Sequence, residues 1–142
     1  MDIRRVTDSF SVSPQLALED IDALPGQGFA MVINNRPDGE DPDQPSGGDI
    51  EAAARAAGLA YRAIPVAGGF ARAEIDAMAD ALASADGRVI AFCRSGTRST
   101  LLWSLAQASR GGEPEEIAAA AASAGYDIAP VRAAVEQLAA IF

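Results

Sequence analysis

The stretch RVIAFCRSGTRSTLLWSL, residues 88–105, decides the fold because it joins a buried strand, a tight polar turn and a helix. Arg88 to Phe92 form a short apolar run, which is typical of a strand covered on both faces. The helix is predicted over residues 99–109, so Cys93 to Arg98 form the turn between strand and helix. A strand that leads directly into a helix is half of a β-α-β crossover, and it therefore predicts a parallel sheet.

The segments on both sides of this unit repeat the alternation of strands and helices. Strands are predicted over residues 3–12 (as one or two short strands), 29–34, 59–66 and 88–92, and helices over 14–24, 50–57, 71–83, 99–109, 114–124 and 129–141. The length of 142 residues is that of one domain. We therefore predict a single α/β domain, residues 1–142, with a central, mainly parallel sheet of four to five strands flanked by helices. In such sheets, ligands bind beyond the carboxyl ends of the strands.

The residue counts exclude several classes of function. Twenty acidic and eleven basic residues give a formal net charge of -9, which argues against nucleic acid or an anionic membrane as a partner. All eleven basic residues are Arg and there is no His, which excludes lysine Schiff bases, histidine triads and histidine-ligated metals. The single cysteine, Cys93, excludes an intramolecular disulfide, and no apolar run is long enough to span a membrane. We therefore expect a cytoplasmic protein that uses no cofactor and no metal.

The turn from Cys93 to Arg98, called the Cys93 loop below, carries the residues of a candidate active site. It can curl around its central glycine so that backbone N–H groups point inward, towards the positive end of the following helix. A cysteine at the first position lies in that field, which favours its ionised, nucleophilic form. Arg98 offers a planar guanidinium suited to a tetrahedral oxyanion, and Ser99 is placed to donate a hydrogen bond to the sulfur. The predicted catalytic residues are Cys93, Arg98 and Ser99, and the rest of the anion-binding loop is Arg94, Ser95, Gly96 and Thr97.

A second group of charged residues follows the strand of residues 29–34, in a segment called the acidic loop (residues 36–43). Its four acidic residues are Asp38, Glu40, Asp41 and Asp43. Such a group is typical of a solvated loop, but this one follows a strand at the sheet edge where the Cys93 loop is also expected. Asp38 or Asp41 is therefore a candidate general acid, and Arg36 is either a contact for an anionic substrate or a surface arginine. The two tyrosines, Tyr61 and Tyr126, are predicted to be packing residues.

Several stretches of the sequence resemble one bacterial family. They are Ser13–Gln15, VINNRPDGE (Val32–Glu40), AAGLAYRAIPV (Ala56–Val66), FCRSGTRS (Phe92–Ser99), Leu102–Trp103 and AGYD (Ala124–Asp127). Together they are similar to the small bacterial phosphatase-like domain that occurs alone and also fused to metallo-β-lactamase-like hydrolases. The resemblance implies the fold of dual-specificity phosphatases, with Cys93 as nucleophile and Arg98 as the arginine of the loop. It also implies a metallo-β-lactamase-like hydrolase as a candidate partner.

Departures from the phosphatase pattern set the preferred function. Phosphatases of this fold usually have a His before the cysteine and five residues between Cys and Arg, whereas here Phe92 precedes Cys93 and four residues separate it from Arg98. The shorter spacing resembles that of single-domain rhodaneses. Related phosphatases carry an acidic residue in the loop that reads Ala67-Gly68-Gly69-Phe70 here. The usual general acid is therefore missing, and phosphoryl transfer depends on that acid more than sulfur transfer does.

Three functions fit these residues. The preferred one is a rhodanese-type sulfurtransferase, in which Cys93 takes the outer sulfur of thiosulfate or of a persulfide and holds it as a persulfide intermediate. The first alternative is a protein-tyrosine or dual-specificity-like phosphatase that acts on a phosphate ester through a cysteinyl-phosphate. The second alternative is a binding module that recognises an anion or a phosphorylated ligand without catalysis. All three predict a small anionic ligand at the Cys93 loop.

Overall fold

The computed structural model describes residues 1–141 and shows a five-stranded sheet with helices on both faces. The strands are β1 (Arg4–Arg5), β2 (Phe10–Ser13), β3 (Phe29–Asn34), β4 (Ala60–Ala63) and β5 (Arg88–Phe92). Their spatial order is β1-β2-β5-β3-β4; β1 is antiparallel to β2, and the other neighbouring strands are parallel. The predicted α/β fold with a mainly parallel sheet is confirmed.

Helices lie between β2 and β3, between β3 and β4, between β4 and β5, and after β5. They are α1 (Leu18–Ile21), α2 (Gly47–Ala56), α3 (Arg72–Ser84), α4 (Thr97–Ser109), α5 (Pro114–Ser123) and α6 (Arg132–Ile141). Two single turns of 3-10 helix, Pro25–Gln27 and Ala129–Val131, precede β3 and α6. Within residues 1–141, no helix combines the length and the apolar character needed to cross a lipid bilayer.

Alternate residues of the central strands point to opposite faces of the sheet and build two apolar layers. Val89 and Ala91 of β5 belong to the layer that includes residues of α3, α4, α5 and α6, whereas Ile90 and Phe92 belong to the layer with residues of α1 and α2. β5 is the middle strand, and α4, which follows it, is buried along most of its length. The Cys93 loop therefore lies at the centre of the carboxyl edge of the sheet.

The segment after β2 differs from the prediction. The sequence predicts a helix over residues 14–24, directly after the hydroxyl residue Ser13, but Ser13 ends β2 and pairs with Phe92 of β5. Its hydroxyl donates to the carbonyl of Pro14 (2.6 Å) and caps no helix. The helix is reduced to the single turn of α1 because parallel pairing with β5 satisfies the buried backbone there, which overrides the local capping preference.

Candidate active site

The Cys93 loop connects β5 to α4 and turns around Gly96. Gly96 has a φ of 92°, in the left-handed region that glycine adopts at little cost, and it is the N-cap residue of α4. This turn directs the Gly96 N–H at the Cys93 sulfur, with 3.0 Å between N and Sγ. The hydroxyl and the N–H of Thr100 hold the Gly96 carbonyl in place (2.8 and 3.0 Å). The sulfur therefore lies against a backbone N–H at the positive end of a 13-residue helix.

The side chain of Cys93 is fully buried, yet it belongs to neither apolar layer. The backbone around it is tied to two other segments of the chain. The Asn35 N–H donates to the carbonyl of Phe92 (2.9 Å), and the Gln15 N–H donates to the carbonyl of Arg94 (3.4 Å). These contacts hold the start of the loop against the ends of β2 and β3.

Arg98 lies in the first turn of α4, because the helix begins at Thr97 and not at residue 99 as predicted. Its Nη1 donates to Glu40 Oε2 and to the carbonyl of Val66, and its Nη2 donates to Glu40 Oε1, each over 2.8 Å. The hydrogen bonds with Glu40 raise the pKa of Arg98 above its usual value, and the nearby Cys93 raises it further. Arg98 and the Gly96 N–H that contacts the sulfur therefore belong to the same turn of the chain.

Glu40 links Arg98 to a buried arginine, Arg36. The three nitrogens of Arg36 all have partners: Nε donates to Glu40 Oε1 (2.9 Å), Nη1 to Gln15 Oε1 (3.0 Å) and Nη2 to Asp41 Oδ2 (2.6 Å). Hydrogen bonds from Arg98 first, and from Arg36, lower the pKa of Glu40 to about 2, although partial burial opposes the shift. Glu40 is therefore ionised at neutral pH. Because Arg36 is only 4% exposed and each of its nitrogens has a partner, it is not the surface arginine that the sequence offered as one alternative; its contact with an anionic substrate stays a prediction.

The candidate acids have structural partners of their own. Asp38 Oδ1 accepts the Gly47 N–H (2.7 Å) at the start of α2. Asp41 Oδ2 is held by the buried arginine and lies 3.7 Å from Nη2 of Arg94. Each carboxyl is therefore turned to a backbone or guanidinium donor. The general acid at Asp38 or Asp41 stays a prediction.

The side chains of the loop also differ from the prediction. The Ser99 hydroxyl is buried and has no hydrogen-bond partner within residues 1–141, so it does not donate to Cys93. The reason is the earlier start of α4, which places Ser99 inside the first helical turn among buried residues. Ser95 donates to the hydroxyl of Thr97 (3.1 Å), and the side chain of Arg94 points outward, 67% exposed. The loop therefore presents the backbone N–H of Gly96 to the sulfur.

Two residues at the site were missed by the sequence analysis. Tyr126, predicted to be a packing residue, donates its hydroxyl to the carbonyl of Ser95 (3.1 Å) and leaves no room for a Cβ at Gly96. Glu40 was grouped with the acidic loop and given no role at Arg98. Residues 36–40 form no helix, so their four-residue spacing is no sequence signal for an ion pair, and no sequence signal connects Tyr126 to the loop, 31 residues away.

A separate cleft opens at the same edge of the sheet, between the ends of β3 and β4 and the start of α2. Its lining includes Asn34, Asp38, Gly47 and Tyr61, and it contains no residue of the Cys93 loop. Within it, Asn34 Nδ2 donates to the hydroxyl of Tyr61 (3.1 Å), which in turn donates to the carbonyl of Gly47 (3.3 Å). The cleft is therefore a neighbour of the candidate active site and not part of it.

Comparison with known sequences identifies one family. Residues 2–110 match the family described as beta-lactamase hydrolase-like protein, phosphatase-like domain. The beta-lactamase hydrolase-like protein of Xylella fastidiosa (strain Temecula1) is 35% identical over 130 residues, which cover 90% of this chain and 30% of that protein. The chain thus spans less than a third of the length of this relative.

Solved structures share the fold. A candidate phosphatase from Neisseria meningitidis superposes with a TM-score of 0.82 at 28% sequence identity, over 97% of this chain and 99% of the other. TpbA of Pseudomonas aeruginosa, crystallised in complex with phosphotyrosine, superposes with a TM-score of 0.64 at 15% identity, over 99% of this chain and 89% of the other. At that identity the second likeness concerns the fold alone. The fold of tyrosine and dual-specificity phosphatases that the sequence implied is confirmed.

Proposed function

The chain belongs to the family of the phosphatase-like domain of beta-lactamase hydrolase-like proteins, and from this membership we propose that it is a cysteine-dependent phosphatase with Cys93 as nucleophile. One observation carries the proposal. A single turn between β5 and α4 combines the sulfur, the Gly96 N–H directed at it over 3.0 Å and the guanidinium of Arg98. A nucleophile, a backbone donor and a cation therefore converge at the place where open α/β sheets bind their ligands.

In the proposed reaction, the Cys93 thiolate attacks the phosphorus of a phosphate monoester. The S–P bond forms as the bond from phosphorus to the ester oxygen breaks, and the leaving oxygen takes a proton from water. A water molecule then attacks the phosphorus of the cysteinyl-phosphate, which releases inorganic phosphate and returns the sulfur to its thiolate form. In both steps, the N–H groups of the loop and Arg98 stabilise the negative charge on the non-bridging oxygens.

Aryl phosphates are the proposed first substrates. Asp38 and Asp41 are paired elsewhere and Glu40 is ionised between two arginines, so the acidic loop offers little help in protonating a leaving group. A phenolate, with a parent pKa near 10, is a better leaving group than an alkoxide and depends less on such help. The complex of TpbA with phosphotyrosine supports an aryl phosphate as the first probe.

Sulfur transfer is the second candidate. Four residues separate Cys93 from Arg98, and the rhodanese loop is similar in this spacing. In this reaction the Cys93 sulfur attacks the outer sulfur of thiosulfate, the S–S bond of thiosulfate breaks, and sulfite leaves without a proton donor. The family description and the Neisseria structure carry phosphatase names, so the order of preference from the sequence is reversed. A hydrolase partner stays a prediction.

Hydrolysis of para-nitrophenyl phosphate and of phosphotyrosine by the wild type and by Cys93→Ser is the test. We expect the wild type to release phosphate and the variant to lose roughly three orders of magnitude or more in kcat/KM, because a serine hydroxyl is a much weaker nucleophile than a thiolate. The intact mass after incubation with thiosulfate is the companion measurement. A gain of one sulfur on the wild type alone, without ester hydrolysis, would replace the phosphatase by a sulfurtransferase. Phosphate binding with neither activity would indicate the binding module.

A further inference from the structure

We infer that Glu40 is a positioning residue that holds Arg98 so that one pair of its N–H groups is left unused for an anion at the Cys93 loop. The inference rests on the proposed function for the kind of ligand, a tetrahedral oxyanion such as a phosphoryl group. It goes beyond that function because it assigns a role to a residue outside the Cys93 loop, 58 positions away from Arg98 in the sequence.

The hydrogen bonds of Arg98 leave one edge of its guanidinium unused. A guanidinium has five N–H donors in a fixed plane. Within residues 1–141, three are engaged: Nη1 donates to Glu40 Oε2 and to the carbonyl of Val66, and Nη2 donates to Glu40 Oε1. The two bonds to Glu40 run side by side along the Nη1–Nη2 edge. The remaining donors are therefore the Nε hydrogen and the second Nη2 hydrogen, which point in parallel along the Nε–Nη2 edge and suit two oxygens of one anion.

The unused edge is the one that can serve the sulfur. Arg98 lies in the first turn of α4, two residues after the glycine whose N–H contacts the sulfur, and the nearby Cys93 also raises the pKa of Arg98. Both hydrogens of Nη1 and one of Nη2 are committed elsewhere, so any hydrogen bond from Arg98 to the sulfur or to an anion beside it comes from this edge. An anion that binds there has no need to displace Glu40, because the carboxylate occupies a different edge of the guanidinium.

Glu40 can act as a fixed support because a second arginine, Arg36, also donates a hydrogen bond to its carboxylate. Arg36, only 4% exposed, donates its Nε to Glu40 Oε1 over 2.9 Å, and it is itself fixed by Gln15 and Asp41. Glu40 is 28% exposed and Arg98 25% exposed. The buried Arg36 therefore supports the partly exposed Arg98 through the carboxylate of Glu40, which accepts hydrogen bonds from both arginines.

Glu40→Gln tests this role, because it removes the charge with little change in shape. The readout is the titration of the protein with inorganic phosphate, followed by the NMR signal of the Arg98 Nε–H. We expect half-saturation to need roughly 10- to 100-fold more phosphate in the variant, since small misplacements of a binding group have effects of that size. With para-nitrophenyl phosphate, KM should rise more than kcat falls.

Two further variants complete the experiment. Glu40→Asp keeps the carboxylate and should recover part of the phosphate affinity, and it serves as the test variant if Glu40→Gln does not fold. Asp43→Asn is the matched control, because it removes one exposed charge from the same loop. We expect its phosphate affinity to stay within about twofold of the wild type, since the field of an exposed charge is largely screened. Thermal unfolding checks that each variant is folded.

Three results would overturn the inference. Tighter phosphate binding by Glu40→Gln would identify Glu40 as an anion that competes with the ligand. Unchanged binding would show that Arg98 needs no support, and an equal loss in Asp43→Asn would assign the effect to the overall charge of the loop. Phosphate binding is measured without turnover. The proposed function therefore fails separately, through the absence of Cys93-dependent ester hydrolysis.

Discussion

The Cys93 loop and the acidic loop meet at the same edge of the sheet but are held in different ways. The Cys93 loop is shaped mainly by backbone contacts between near neighbours, such as Gly96 N–H to Sγ and Thr100 N–H to the Gly96 carbonyl. The acidic loop is held by side chains, above all by the ion pairs of Arg36 with Glu40 and Asp41. The comparison teaches that the contact of the Gly96 N–H with the sulfur forms within one turn, whereas the position of the Arg98 guanidinium depends on an ion pair with a residue 58 positions away.

The largest expected effect is a loss of activity, and it should differ between Arg98 of the Cys93 loop and Arg36 of the acidic loop. Arg98→Lys should lower kcat/KM roughly 100- to 1000-fold, because a lysine ammonium cannot offer two parallel donors to the transition state. Its free energy of unfolding should change by about 1 kcal/mol or less, since its ion pair is partly exposed. Steady-state kinetics and urea unfolding measure the two quantities.

Arg36→Lys is the counterpart in the acidic loop. It should lower the free energy of unfolding by about 1–3 kcal/mol, because a lysine leaves acceptors of the buried guanidinium without partners, and it should lower kcat/KM less than Arg98→Lys does. If Arg98→Lys and Arg36→Lys lost the same activity and the same stability, the assignment of Arg98 to anion binding and of Arg36 to structural support would be wrong.

The next largest effect is a loss of unfolding free energy that should differ between two glycines with positive φ, Gly96 and Gly39. Gly96→Ala forces an L-residue into the left-handed region and drives its Cβ against the hydroxyl of Tyr126. Strain and overpacking together should cost about 2–5 kcal/mol of unfolding free energy. Gly39→Ala, in the acidic loop, has a φ of 77° but nothing within 4 Å of the added Cβ, so it should cost only about 1–2 kcal/mol. Equal losses, measured by urea unfolding, would show that Tyr126 does not pack on the Cys93 loop in solution.

The smallest expected effect is a pH dependence of the acidic loop. The folded protein lowers the pKa of Glu40 from 4.5 to about 2. The stabilisation from its ion pairs is therefore complete above the pKa of the unfolded chain and is lost as the pH falls towards about 2. The difference in unfolding free energy between the wild type and Glu40→Gln should be constant between about pH 7 and pH 5.5, at about 1 kcal/mol or less, and should shrink in acid. A difference that persists undiminished near pH 2 would contradict the ion pairs.

Local patterns explain how much of the site could be predicted. The strand β5, the turn and α4 are continuous in sequence, so the prediction placed the sulfur at the start of a helix without knowledge of any other segment. The predicted start of α4 lies two residues late because Gly96 serves as the N-cap in place of a polar side chain. The same difference explains why the predicted hydrogen bond from Ser99 to the sulfur does not form. The helix predicted after Ser13 failed because β2 continues through that residue to pair with β5.

The sequence by itself determined the α/β class, the Cys93 loop and the exclusion of histidine and lysine chemistry, because these follow from composition and from residues that are neighbours in the chain. Only the tertiary structure decided that Glu40 holds Arg98, that Tyr126 packs on Gly96 and that Arg36, Asp38 and Asp41 are engaged elsewhere. Each of these contacts joins groups from separate segments of the chain or from within an irregular loop. Their formation depends on how the parallel strands bring their carboxyl ends together, which no local pattern encodes.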